Sequence, residues 1–186
     1  MKAIGTIIVS AGALALASCA QKTESDNVTT TTVVNDTAAT PMPVASPGQI
    51  FANAAAASDA FEIASSNLAA TKGHSAAVKA FAKQMVKAHM DSTAKLKTAA
   101  SSAAPAIVPD PVLTPDQQHS LDTLGTLGGA AFDEAYVAAQ TDAHEKTLAA
   151  LKDYAASGDV PALKSFAAGL VPTVTAHLNM AKSLKP

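Results

Sequence analysis

From residue 49 onward the apolar positions of this chain recur with a helical step. In the stretch "IFANAAAASDAFEIASSNLAATK", Ile50, Phe51, Ala54, Phe61, Ser65 and Leu68 fall on one broad face, and Gly73 supplies a C-terminal stop. A second stripe begins near Ser75 and steps by three and four through Val78, Phe81, Met85, Ser92 and Leu96. The proline-rich segment "SSAAPAIVPDP" closes it. Thr114, Pro115 and Gln117 then form a capping-box signature that opens a short helix, which the glycines between Gly125 and Gly129 end or bend. A third main helix is expected from about Ala130 to Ala156, with "SGD" as its stop. The fourth starts at Asp159 and Pro161 and carries Leu170, Val174, His177, Ala181 and Leu184, with a kink expected at Pro172. This pattern predicts an all-α fold: an antiparallel four-helix bundle over residues 49–186 with an extra short helix before the third main one.

The first 48 residues read differently. Residues 1–18 have one charge, Lys2, ahead of an uncharged run that is too short to be trusted as a membrane span, which is the layout of a signal peptide. Leu16, Ala17, Ser18 and Cys19 resemble the bacterial lipobox, and that resemblance implies cleavage before Cys19 and lipidation of its thiol. Acyl chains would then hold the protein to a membrane without a spanning helix, and Ala20 fits sorting to the outer membrane with the domain in the periplasm. Residues 19–48 are rich in threonine, proline and small polar groups and lack a sustained period, so they read as a disordered tether.

Composition narrows the function classes. Apolar residues make up 48% of the chain, but much of this is alanine; there is no tryptophan, with five phenylalanines and two tyrosines. Closely packed helices suit such a core better than a sheet. The thirteen basic residues are all lysine, against fifteen acids, so neither a basic cluster nor a guanidinium exists for nucleic acid. A single cysteine excludes an internal disulfide. No phosphate loop, dinucleotide fingerprint or nucleophile elbow occurs, which leaves a nucleotide cofactor or serine nucleophile without support.

Four ordered segments, "FEIASSNLA", "VKAFAKQMVKAH", "LGGAAFDEAY" with its following "DAH", and "LVPTVTAHLNMA", resemble the DUF4142 family over about residues 50–184. The resemblance implies an exported bacterial protein with a ferritin-like four-helix fold and brings no settled activity. One position departs: where the family usually has an acid before the second-helix histidine, this chain has Ala88.

Several polar residues sit where the helical period puts the core. His89 lies within the stripe of the second helix, His177 shares the face of Leu170 and Leu184, and His144 lines up with Asp133, Gln140 and Leu151. Glu62 falls at the edge of its apolar face, while His74 and His119 read as surface residues. With main helices alternating up and down, Asp133, His177 and His89 fall at heights of about 6, 8 and 12 Å, and Glu62 and His144 at about 18 and 22 Å. A polar layer of Asp133, His89 and His177 is therefore expected, with Glu62 and His144 above it.

Two chemistries compete for these residues. A di-iron centre needs Glu-x-x-His on two helices, and here Val86 and Val174 occupy the glutamate positions. A mononuclear zinc, copper or iron site drawn from Glu62, His89, Asp133, His144 and His177 remains open, with Met85 and Met180 one turn from two of the histidines. Otherwise these residues are buried hydrogen bonds that fix helix register. The sequence favours the second reading: a non-enzymatic structural, stress-related or interaction module of the cell envelope, with no cofactor expected and an envelope protein as partner. A transition-metal or redox protein is the alternative.

Overall fold

The computed structural model describes residues 45–185. The signal segment, Cys19 and the tether through residue 44 lie outside the described residues. Five helices form: α1 (Pro47–Lys72), α2 (Ala76–Ser101), α3 (Pro115–Thr126), α4 (Gly129–Ser157) and α5 (Pro161–Ser183).

Their starts follow local chemistry. Ser46 accepts from the Gln49 amide at 3.1 Å and Ser75 from that of Val78 at 3.2 Å, each satisfying a donor that a first helical turn leaves free. At α3 the expected capping box is present, with Thr114 and Gln117 bonding reciprocally. Gly129 opens α4 at a φ of 63°, in the left-handed region where a side chain would be strained. α5 continues as one helix through Pro172. Both Pro172 and Ala168, whose carbonyl loses its usual donor there, are exposed, so water can replace the missing bond.

Pairing makes two hairpins, α1 with α2 and α4 with α5, and these dock so that α1 lies against α4 and α2 against α5. Three side-chain bonds fix the direction of α4. Ser58 pairs with Thr147 at 2.8 Å, Ser65 accepts from Gln140 at 3.1 Å, and Ser66 pairs with Tyr136 at 2.8 Å, so the two helices run antiparallel. The segment 102–128, with α3 inside it, therefore climbs the length of the bundle, resting on α1 and α4. The order is up, down, down, up.

This crossover corrects the heights expected from an alternating bundle. With α4 and α5 reversed, Glu62, His89, His144 and His177 all fall within about 18 to 24 Å of one end, and Asp133 moves to about 36 Å. There Asp133 is fully buried and belongs to a helix junction: its two carboxylate oxygens accept from the backbone N–H groups of His74 and Ser75 at 2.9 and 2.7 Å. The layer of Asp133, His89 and His177 does not form.

The core is divided in two. One apolar cluster gathers Phe51, Leu96, Leu151, Leu163 and Val174, with the Phe51 and Tyr154 rings stacked 3.9 Å apart. The other gathers Phe81, Met85, Leu124, Phe132 and Tyr136. Each large side chain so buried contributes roughly 1.5–3 kcal/mol, enough collectively to carry a polar belt between the clusters. The belt consists of Asp59, Glu62, His89, Gln140, His144 and His177, all buried.

Candidate metal centre

Each main helix sends at least one residue into the belt. On α1 the three-residue step from Asp59 to Glu62 keeps both carboxylates on one face, and on α4 the four-residue step does the same for Gln140 and His144. α2 contributes His89 and α5 contributes His177. The three imidazoles converge, with ring centroids 5.6 to 5.9 Å apart. One nitrogen from each lies within 4.8 Å of the other two. A tetrahedral ion with metal–nitrogen distances of about 2.0–2.1 Å would hold such nitrogens about 3.4 Å apart, so closure needs ring movements of no more than about 1 Å.

The outward side of two rings is fixed. His89 Nδ1 faces Asp59 Oδ1 at 2.8 Å, and the other Asp59 oxygen accepts from the Thr93 hydroxyl at 3.1 Å. His144 Nδ1 lies 2.8 Å from the Gln140 carbonyl, which can only accept, and 3.4 Å from Glu62 Oε1. Nδ1 of each ring is thus the donor, which leaves Nε2 of each as the nitrogen that can ligate once it carries no proton. These Nε2 atoms and Nδ1 of His177 are buried without a protein partner, as is Glu62 Oε2. An orphaned buried polar atom costs about 1–3 kcal/mol, so hydrogen bonding accounts for the outer sides of the rings and not for the inner ones. A ligating histidine whose second nitrogen donates to a carboxylate or carbonyl is the arrangement that orients imidazoles on metals.

Electrostatics point the same way. Burial pushes His144 down to about 4, helped by the neighbouring His89 and His177 against the bond to the Gln140 carbonyl. His177 is also pushed down to about 4, by burial and by His89. At His89 burial pulls downward, but the Asp59 hydrogen bond and the charges of Glu62 and Asp59 outweigh it and hold the imidazole above its ordinary range. Burial raises Glu62 to about 7 against the charge of His89. Two imidazoles that burial keeps neutral, a third that must give up any second proton before it ligates, and two acidic side chains can together receive a cation, with anionic charge near enough to offset its burial.

Of the five residues singled out in the sequence, Glu62, His89, His144 and His177 come together, and Asp133 caps a junction elsewhere. Met85 packs in the apolar cluster with Phe81, and Met180 meets Gln84. Sequence reasoning missed Asp59; its spacing from Glu62 and its place on the apolar face of the first helix were the available signal.

A family model described as a domain of unknown function, DUF4142, matches residues 33–184. Two solved structures share the fold: CopM in its Cu(I)-bound form, at 16% identity with a TM-score of 0.60 over 73% of this chain and 92% of that one, and CopM in its Cu(II)-bound form, at 16% identity with a TM-score of 0.61 over 73% and 93%. By sequence, no curated protein is similar enough to match.

Proposed function

The chain belongs to the DUF4142 family, and we propose that its bundle holds one transition-metal ion, copper or zinc, on His89, His144 and His177. The observation that carries this reading is the convergence of three buried imidazoles from three helices, one nitrogen of each within 4.8 Å of the other two, on rings that each keep a buried nitrogen without a protein partner. Imidazole suits copper and zinc, and copper stands highest in the divalent affinity order. The copper-bound forms of the structurally similar CopM add support for copper. Asp59 orients His89, the Gln140 carbonyl orients His144, and Glu62 supplies negative charge beside the ion.

The test is metal content after incubation with copper or zinc and exhaustive dialysis, followed by affinity across pH. One retained ion per chain is expected, lost when all three histidines become leucine; an ion still bound by that variant, or none bound by the wild type, overturns the reading. Acid should weaken binding, because ligation needs unprotonated imidazoles. Near pH 6 His144 and His177 hold no proton to displace, so protons compete at His89 and Glu62. Between pH 6 and 5 the affinity should fall by no more than about a hundredfold, against the roughly thousandfold per unit approached by three ordinary histidines.

The leader supports an envelope setting. No helix among the described residues is long and apolar enough to cross a membrane. The Leu16 to Cys19 segment supports a lipid anchor at Cys19 that keeps the domain at an envelope membrane. Labelled palmitate should enter the wild-type chain in a bacterial host and not Cys19→Ser; equal labelling of the two would remove the anchor.

A further inference from the structure

Four large apolar side chains are exposed among the described residues, and three of them gather at one end of the bundle: Ile50, Val108 and Val112, at 58%, 77% and 73% exposure. At this end α1 and α5 begin and α2 and α4 finish. The loop after α2 is pinned there. Ile107 is buried in the cluster of Phe51, and its amide donates to the Ala100 carbonyl at 3.1 Å. Gln49 Nε2 donates to the Val108 carbonyl at 2.8 Å and the Asp110 amide to Asn53 Oδ1 at 3.0 Å, so the loop lies along the first two turns of α1. Ile50 stands about 60° from Asn53 around that helix, on the side the loop follows. Charge is nearly absent from this end. Residues 45–58, 98–109 and 154–158 carry none. Asp110 and Asp159 are the exceptions, and each accepts a hydrogen bond, from the Val112 amide at 3.2 Å and the Tyr154 hydroxyl at 2.8 Å. Lys97, Lys152 and Lys164 stand about one turn back, as does Asp153.

We propose that this end of the bundle rests on a lipid bilayer, with Ile50, Val108 and Val112 at the boundary between headgroups and acyl chains. The inference rests on the Cys19 anchor proposed above and adds to it which face of the domain meets the membrane. The chain that leads from Cys19 enters the bundle at Ala45, on the end that carries the three side chains. An already ordered loop loses little conformational freedom when its apolar side chains are buried, so the contact has a low entropic cost. The three lysines are balanced by Asp110, Asp153 and Asp159, and the contact therefore depends on apolar burial rather than on anionic headgroups. Three side chains are too few to hold the protein to lipid alone; they orient a domain that an anchor already keeps at the surface.

The experiment uses the chain from Cys19 onward, coupled through its only thiol to a maleimide-bearing lipid in phosphatidylcholine vesicles. The chain has no tryptophan, so Val108→Trp at this end and the exposed Thr126→Trp at the other are single reporters of contact with lipid. Brominated phosphatidylcholine should quench Val108→Trp at least about threefold more than Thr126→Trp, and added phosphatidylglycerol or salt should leave that ratio unchanged. Ile50→Ser with Val112→Ser replaces only exposed side chains and should cut the difference by at least about half. Equal quenching of the two reporters, or a difference that survives the paired serines, overturns the proposal. Absence of quenching from both does so too, and turns the patch towards a protein partner. Because the coupling is chemical, these outcomes bear on the orientation and leave the anchor standing. A missing palmitate label in cells removes the anchor, and this orientation with it.

Discussion

His144→Ala is expected to weaken copper binding at least about a hundredfold while the bundle stays folded. His144 is the most buried of the three imidazoles, and its ring is held from one side by the Gln140 carbonyl. Truncation removes one of the three proposed ligands, and water cannot easily replace it between two apolar clusters. The variant also loses a buried ring whose inner nitrogen has no protein partner, so the cost of the void is partly offset by relief of that orphaned atom. Asp59→Asn probes the outer partner of His89; loss of such a group typically costs about 10–100-fold in affinity. The exposed His119→Ala should change nothing. Competition against a chelator of known affinity reads all three. Equal affinity in His144→Ala and the wild type would remove this imidazole from the site, and a similar loss in all three variants would remove the site itself.

Asp133→Ala should destabilise the domain by about 2–4 kcal/mol without touching metal affinity. Two backbone donors end on its carboxylate, and hydrogen bonds to a charged group contribute about 1.5–3 kcal/mol each, less where water can reach the freed amides. His74 and Ser75 sit at the start of α2, so some of that replacement by water is available. Asp133→Asn, which keeps one accepting oxygen, should fall between the two. Urea unfolding followed by circular dichroism measures the loss. A change below about 0.5 kcal/mol would mean that the junction is held by packing alone. A loss of metal affinity with stability intact would instead return Asp133 to the site.

These two variants also separate what the sequence could reveal from what it could not. The helices were legible, because Ser75, Thr114, Gln117 and the glycine stops are local signals. The inward direction of His89, His144 and His177 was legible for the same reason, since it depends only on the helical period. Grouping them was not. Whether Asp133 or His144 shares a level with His89 depends on the direction of α4, and that is set by where the chain goes between Ser102 and Gly128. Asp59 escaped for a different reason: its inward place could be read from α1, but its partners Thr93 and His89 lie on another helix, so nothing within α1 told of its role.

The crossover has a consequence for when an ion can be captured. The α1–α2 hairpin holds His89 with Asp59 and Glu62, and the α4–α5 hairpin holds His144 and His177. Neither half contains three imidazoles, and the segment that joins them must span the bundle before they meet. A chain still being synthesised, or a half released by proteolysis, would therefore present at most a two-histidine fragment to passing metal, and tight loading would be reserved for chains whose two halves have already found each other.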